Sequence, residues 1–78
     1  MEKLTLRAIR VNLGWSLEKA STLIGVSKDT LSNYERGETY PDVPIIKRIV
    51  EVYNISYDRI NFLLDNDVLN DKKKKGAI

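Results

Sequence analysis

Apolar residues recur along this chain at spacings of three and four, and glycines and prolines separate the runs. That spacing places apolar side chains on one face of an α-helix, and no segment shows convincing strand-type alternation. The pattern predicts five short helices in an all-α fold. Their apolar stripes are Leu6, Ile9 and Leu13; Leu17, Ala20, Leu23 and Ile24; Leu31 and Tyr34; Ile46, Ile49, Val50 and Tyr53; and Ile60, Leu63 and Leu64.

Capping residues and glycines mark the ends of these helices. Hydroxyl side chains stand at four of the predicted starts: Thr5, Ser16, Ser27 and Ser56. Such side chains accept a hydrogen bond from a free N–H of the first turn. Glycines end the first three helices, at Gly14, Gly25 and Gly37. Pro44 fits the first turn of the fourth helix, where its missing N–H costs little.

The turn between the second and third helices is the most specific local feature. Gly25 supplies a backbone conformation that costs an ordinary residue about 1 kcal/mol or more. Ser21 lies four residues earlier on the same helix face, and its small side chain lets the two helices approach closely. We therefore expect a tight helix-turn-helix unit over residues 16–37.

Composition excludes several classes of function. The 78 residues suffice for one domain, and they include no cysteine and no histidine. Catalysis by Ser-His or Cys-His pairs is therefore excluded, and we expect neither an enzyme nor a cofactor or metal. No apolar run approaches the roughly 20 residues of a membrane span, and a secretory signal is lacking, so we expect a cytoplasmic protein without membrane partners.

Charge alone does not identify a partner. The formal net charge is +2, but four of the 13 basic residues form the run Lys72–Lys75. Nine basic residues then stand elsewhere against 11 acidic ones, which suggests a slightly acidic folded part. We expect a domain over residues 1–66 and a polar, lysine-rich, disordered tail over 67–78, which serves solubility or neutralises phosphates.

The outward arc of the third helix is entirely polar. With Leu31 and Tyr34 facing inward, helical geometry turns Lys28, Asp29, Ser32, Asn33 and Arg36 outward, with Thr30 at the edge. An ordinary solvated face has the same appearance. A short helix that is bounded by glycines and protrudes from the surface favours contact with the major groove of DNA over a merely solvated face.

Several motifs resemble the phage repressor and Cro-type family, also called lambda-repressor-like or XRE-type domains. They are S-L-E at 16–18, G-V-S at 25–27, Y-E-R-G at 34–37, Pro41, and I-x-x-I-V-x-x-Y-x-I-S-x-D from Ile46 to Asp58. The resemblance covers about residues 4–64. It implies a compact five-helix DNA-binding domain in which helices two and three form the helix-turn-helix. Ala20 and Ser21 depart from the family pattern, and we expect Leu23 to compensate partly for the smaller Ala20.

The resemblance also implies roles for individual residues. The implied base-reading residues are Lys28, Asp29, Thr30, Ser32 and Asn33, and the implied contacts to the DNA backbone are Ser16, Leu17, Ser27, Arg36, Thr39 and Tyr40. Asn33 fits adenine, Lys28 fits guanine or a phosphate, and Asp29 fits a cytosine amino group or merely stabilises the helix terminus. Arg10 and Glu35 are implied to form an ion pair within the domain.

Two functions compete at this point. The first is a sequence-specific regulator from a bacterium or phage, a repressor that occupies a double-stranded operator as a homodimer. The resemblance places the dimer contacts on the fifth helix and the loop before the fourth. The second is a protein-interaction module, such as the antitoxin of a toxin–antitoxin pair or a coregulator that contacts polymerase. A steep salt dependence of DNA affinity that also depends on Asn33 distinguishes the first from the second.

Overall fold

The computed structural model describes residues 3–63, which form four short α-helices closed by a two-stranded sheet. The elements in chain order are β1 (Leu4–Thr5), α1 (Leu6–Asn12), α2 (Leu17–Ile24), α3 (Lys28–Glu35), α4 (Val43–Tyr53), a 3-10 turn (Tyr57–Arg59) and β2 (Ile60–Asn61). The proposed tail, including Lys72–Lys75, lies outside the described residues. Within residues 3–63, none of the helices has the length and apolar character to cross a membrane.

Side-chain caps begin all four α-helices. Thr5, Ser16 and Ser27 each accept a hydrogen bond, 3.0 Å long, from the backbone N–H three residues further on. Asp42 caps α4 in the same way, with 3.2 Å between its Oδ1 and the Ile45 nitrogen. Each such cap stabilises its helix by about 1 kcal/mol. The predicted caps of the first three helices are therefore confirmed, and Pro44 lies in the first turn of α4 as predicted.

The turn between α2 and α3 is as tight as the sequence predicts. Gly25 adopts a φ of +95°, and its N–H donates to the Ser21 carbonyl at 2.8 Å. Arg48 of α4 donates to the Ile24 carbonyl at 2.7 Å and to the Leu23 carbonyl at 3.3 Å. These bonds satisfy carbonyls that have no partner inside α2. Arg48 thereby ties α4 to the turn.

The core lies where α1, α2, α3 and α4 meet the sheet. It consists of Leu6, Ile9, Ala20, Ile24, Leu31, Tyr34, Ile49, Tyr53, Ile60 and Phe62. Two predicted core residues, Leu13 and Leu23, are each 42% exposed, so that prediction is wrong. Leu13 follows the last residue of α1, and Leu23 is turned about 100° away from the buried Ile24. Leu23 therefore does not compensate for Ala20.

The predicted fifth helix is also wrong within the described residues. Ser56 makes no capping hydrogen bond, and the chain passes through the 3-10 turn into β2. Strand β2 pairs in parallel with β1, with Leu4 opposite Ile60 and Thr5 opposite Asn61. Ile60 and Phe62 are buried while Asn61 between them is exposed. That alternation of period two suits an extended chain and buries both apolar side chains on one side.

Replacing Gly25 by alanine is expected to destabilise the domain by about 1 kcal/mol or more, because its positive φ opposes any Cβ. Space is not the obstacle, since an added Cβ would lie 3.6 Å from the Arg48 guanidinium. Gly25→Asn is the matched control, because asparagine tolerates this conformation and already occupies it at Asn54, with a φ of +55°. Urea unfolding should show the larger loss for Gly25→Ala. Equal losses in the two variants would contradict the argument from φ.

Candidate nucleic-acid interface

A two-pronged ion pair joins α1 to α3. Arg10 donates from Nε to Oε2 of Glu35 at 2.7 Å and from Nη2 to Oε1 at 3.1 Å. Its third nitrogen, Nη1, donates to the Trp15 carbonyl at 2.9 Å. The Arg10 and Glu35 side chains are only 12% and 6% exposed. All three nitrogens of Arg10 therefore have acceptors, and the planar guanidinium fixes both the distance and the angle between the helices.

The electrostatics around this pair favour the charged form of Arg10. Hydrogen bonding to Glu35 raises the pKa of Arg10 above its usual value, against the opposing effect of burial. Tyr53 packs beside Trp15, with 6.0 Å between the ring centroids. Burial, followed by the negative charge of Glu35, raises the pKa of Tyr53 to about 12. Arg10 thus remains protonated and Tyr53 neutral over the whole physiological range.

The pair holds α3 with one face inward and one face free. Leu31 is fully buried and Tyr34 nearly so, while Lys28, Asp29 and Arg36 are exposed. On the helical wheel Ser32 lies between Lys28 and Arg36, and Asn33 lies about 40° beyond Asp29; both are half-buried. The Thr30 hydroxyl is already engaged by the Ser27 hydroxyl at 2.8 Å. The predicted base-reading residues therefore share the outward side of α3, with Thr30 at its edge.

A shallow concavity brings three elements together beside this face. It has a volume of about 280 Å³ and is lined by Arg7, Arg10, Leu17, Ser32, Glu35 and Arg36. The beginning of α2, one flank of α3 and an exposed part of α1 therefore adjoin. Ser16, which caps α2, is itself exposed next to Leu17. Sequence reasoning missed Arg7, although its position three residues before Arg10 places both on one side of α1.

The loop after α3 is less clearly part of this surface. Thr39 is exposed, but the Tyr40 hydroxyl pairs with the Tyr57 hydroxyl at 3.1 Å. The Tyr40 ring also meets the Phe62 ring edge-on, with 5.4 Å between the centroids. Tyr40 thus belongs to an aromatic cluster with Tyr57 and Phe62, and the Arg7-lined concavity does not include it.

The expected slightly acidic balance does not hold for the residues that the structure describes. Residues 3–63 carry nine basic and seven acidic side chains, because Glu2 and three aspartates of the sequence lie outside that range. Arg10 and Glu35 neutralise each other, which leaves eight basic and six acidic side chains. The basic residues Arg7, Lys28 and Arg36 lie on or beside the outward side of α3. Asp29 and Glu38 are exposed at the same surface, so these three basic residues exceed the acidic ones by only one.

Comparison with known proteins agrees with this geometry. A family model described as helix-turn-helix matches residues 6–60, which is most of the chain. The chain belongs to the helix-turn-helix family. It is also similar to the HTH-type transcriptional regulator ImmR of Bacillus subtilis strain 168, with 29% identity over 69 residues. That similarity covers 88% of this chain and 52% of ImmR, so the chain spans about half the length of that relative. No solved structure matches the chain.

The helix-turn-helix match includes all three helices that form the candidate interface. It begins at Leu6, the first residue of α1, and extends to Ile60 in β2. Both members of the Arg10–Glu35 pair, the Gly25 turn and all of α3 lie inside it. In residues 3–63 of this helix-turn-helix chain, no group of three or more acidic side chains is arranged to hold a metal ion.

Replacing Arg10 by methionine is expected to destabilise the domain by about 3–5 kcal/mol, because Glu35 is left buried without its partner. The double variant Arg10→Met/Glu35→Leu is the matched control, since it removes both charges and keeps most of the volume. It should recover most of the lost stability. Chemical denaturation of the three proteins measures the free energies. A single variant as stable as the original would show that the pair is energetically unimportant. A double variant as unstable as the single one would show that the unpaired Glu35 is not the cause of the loss.

Proposed function

We propose that this chain is a sequence-specific, double-stranded-DNA-binding transcriptional regulator, and that it acts as a bacterial or phage repressor by occupying an operator. The observation that carries the proposal is the outward side of α3, which is polar throughout and rigidly fixed by the Arg10–Glu35 pair. An α-helix fits the major groove of B-form DNA, where each base pair presents a distinct pattern of donors and acceptors. The similarity to the transcriptional regulator ImmR supports the same class of function.

The base-reading roles follow from the chemistry of each side chain. Asn33 offers a donor and an acceptor to N7 and N6 of adenine, which is a contact worth about 1–3 kcal/mol of discrimination. Lys28 offers donors to guanine or to a phosphate. Asp29, in the first turn of α3, accepts from a cytosine amino group or stabilises the positive helix terminus. Ser32 contributes a hydroxyl between them, and Thr30 contacts the edge of the site.

Contacts to the DNA backbone would set the register of α3 in the groove. The free N–H groups at the start of α2, beside Ser16 and Leu17, suit a phosphate. Arg7 adds a positive charge to the concavity next to Leu17. Ser27 and Thr39 are exposed at the two ends of the α3 segment. We retain Tyr40 as a backbone contact through the exposed part of its ring, which is 41% exposed as a residue.

The test of this proposal begins with selection of bound sequences from a random pool of duplex DNA. The enriched site should bind with an affinity that falls with salt, with a slope of about 0.9 for each phosphate contacted. Asn33→Ala should weaken binding to that site by about 1–3 kcal/mol and leave binding to unrelated DNA nearly unchanged. Electrophoretic mobility shift or fluorescence anisotropy measures both. The control is Asn12→Ala, which changes an exposed asparagine on α1. Failure to enrich any sequence would refute the proposal.

We further propose that two copies bind two half-sites about 34 Å apart. One domain of this size buries little DNA surface, so useful affinity requires a second copy. The surface proposed for self-association is a groove of about 530 Å³ between the loop before α4, α4 itself and the 3-10 turn. Val43 is 63% exposed and Tyr57 51% exposed on its walls. Exposed apolar side chains grouped in this way are typical of a protein interface.

Val43→Glu should therefore abolish cooperative binding to a palindromic site and leave the affinity for an isolated half-site unchanged. The matched control is Val11→Glu, which introduces the same charge at a residue of α1 that is 56% exposed. Analytical ultracentrifugation with and without DNA gives the stoichiometry. One protomer on the full palindrome would contradict the dimer. The apolar groove would then be proposed to bind a different protein. That is the alternative function, in which the chain acts as an antitoxin or contacts polymerase.

A further inference from the structure

Arg36, the residue that follows α3, is engaged by two neighbours on the outward side of that helix. Its Nη2 donates to Oδ1 of Asn33 at 2.6 Å, and the same nitrogen lies 3.4 Å from Oε1 of Glu38. Asn33 is half-buried, whereas Arg36 and Glu38 are exposed. The guanidinium is thus held between an amide oxygen and a carboxylate, and one of these belongs to the proposed adenine reader.

The end of α3 explains why these three side chains meet. Gly37 has a φ of +75°, and its N–H donates to the Tyr34 carbonyl at 3.1 Å. The N–H of Glu38 donates to the Asn33 carbonyl at 3.0 Å. This pair of bonds folds the chain back over the last turn of the helix. Because the chain turns back here and does not continue along the helix axis, Glu38 lies beside Arg36 and close to the last turn of α3.

The chemistry of arginine fixes which end of the Asn33 amide faces it. A guanidinium has five donors and no acceptor, so the atom that it contacts must be the amide oxygen. The –NH2 group of Asn33 then points to the other side of the amide. Among residues 3–63, it has no hydrogen-bond acceptor. The oxygen accepts two hydrogen bonds, so one acceptor position remains open for the amino group of a base.

We propose that Arg36 is a positioning residue that orients the Asn33 amide for adenine, and that Glu38 in turn holds Arg36. This inference rests on the proposed DNA-binding function and replaces the phosphate contact that the family resemblance implies for Arg36. The oriented amide presents its –NH2 donor to N7 and its oxygen to the N6 amino group. Because the side chain is ordered before DNA arrives, binding does not have to select one of two amide orientations.

The position of Glu38 distinguishes this role from that of a phosphate contact. A carboxylate 3.4 Å from Arg36 Nη2 repels a phosphate that approaches the same guanidinium. An arginine that contacts the DNA backbone binds a phosphate more strongly when no carboxylate lies beside it. An arginine that orients Asn33 is helped by the carboxylate of Glu38, because the carboxylate limits the conformations open to this long and exposed side chain.

The first experiment examines the protein without DNA. Nuclear magnetic resonance of the Asn33 side-chain –NH2 group should show proton and nitrogen shifts displaced from those of a solvated asparagine in the original protein. In Arg36→Gln and in Glu38→Gln these shifts should move toward those of a solvated asparagine. Arg59→Gln is the charge-matched control, because Arg59 is exposed in the 3-10 turn. Unchanged Asn33 shifts in Arg36→Gln, with the fold intact by backbone amide spectra, would overturn the inference.

The second experiment measures discrimination on DNA. The original protein should prefer its selected site about 5- to 150-fold over the same site with the contacted adenine replaced by guanine. Arg36→Gln should reduce this ratio severalfold, and it should have no further effect in an Asn33→Ala background. The slope of affinity against salt should remain that of the original protein. Glu38→Gln should also reduce the ratio, although removal of its negative charge raises affinity for all DNA.

The outcomes separate the two proposals. If Arg36→Gln keeps the full adenine preference and lowers the salt slope by about 0.9, Arg36 is a phosphate contact and the inference is overturned while the DNA-binding function stands. If the original protein selects no DNA sequence at all, the proposed function and the inference are both overturned. A reduced adenine preference at an unchanged salt slope, lost in the Asn33→Ala background, supports the inference.

Discussion

The Arg10–Glu35 pair is the interaction on which the presentation of α3 depends. A helix of eight residues is too short to be stable alone, so its position must be set by what it packs against. Leu31 and Tyr34 bury one side of α3, but apolar contacts have no strong directional preference. The two-pronged contact with Arg10 does have one, because both carboxylate oxygens must lie in the plane of the guanidinium. The free-energy cost of burying these two charges is offset only while both partners are present to attract each other.

The ends of the helices determine what that fixed position exposes. Gly25 turns the chain sharply before α3 and Gly37 turns it sharply afterwards, so the helix stands between two changes of direction. Arg48 closes the first turn by bonding the last carbonyls of α2, and the backbone bonds of Gly37 and Glu38 close the second. The outward side chains therefore reach their positions through local backbone chemistry, and Asn33 receives a further contact from Arg36.

The sequence predicts the features that depend on local chemistry. The caps at Thr5, Ser16 and Ser27, the glycine turns and the inward positions of Leu31 and Tyr34 all follow from residue type and spacing. It does not predict β1 and β2, because a two-residue parallel pair is decided by contacts between distant parts of the chain. The spacing of Ile60 and Leu63 is as compatible with a helix as with a strand, and only the alternating burial of Ile60 and Phe62 reveals the strand. For the same reason the bonds from Arg48 to the end of α2 could not be foreseen from spacing, because they join residues 24 and 25 positions apart.

The most direct test of the account is an amide chemical-shift titration of the labelled protein with its selected duplex. If α3 enters the major groove, the largest shifts should fall on the amides of Lys28 through Asn33 and at the start of α2. The amides of β2 and the middle of α4 should change little. Large changes confined to Val43, Ile46 and Tyr57, with α3 undisturbed, would contradict the account and move the binding surface to the apolar groove.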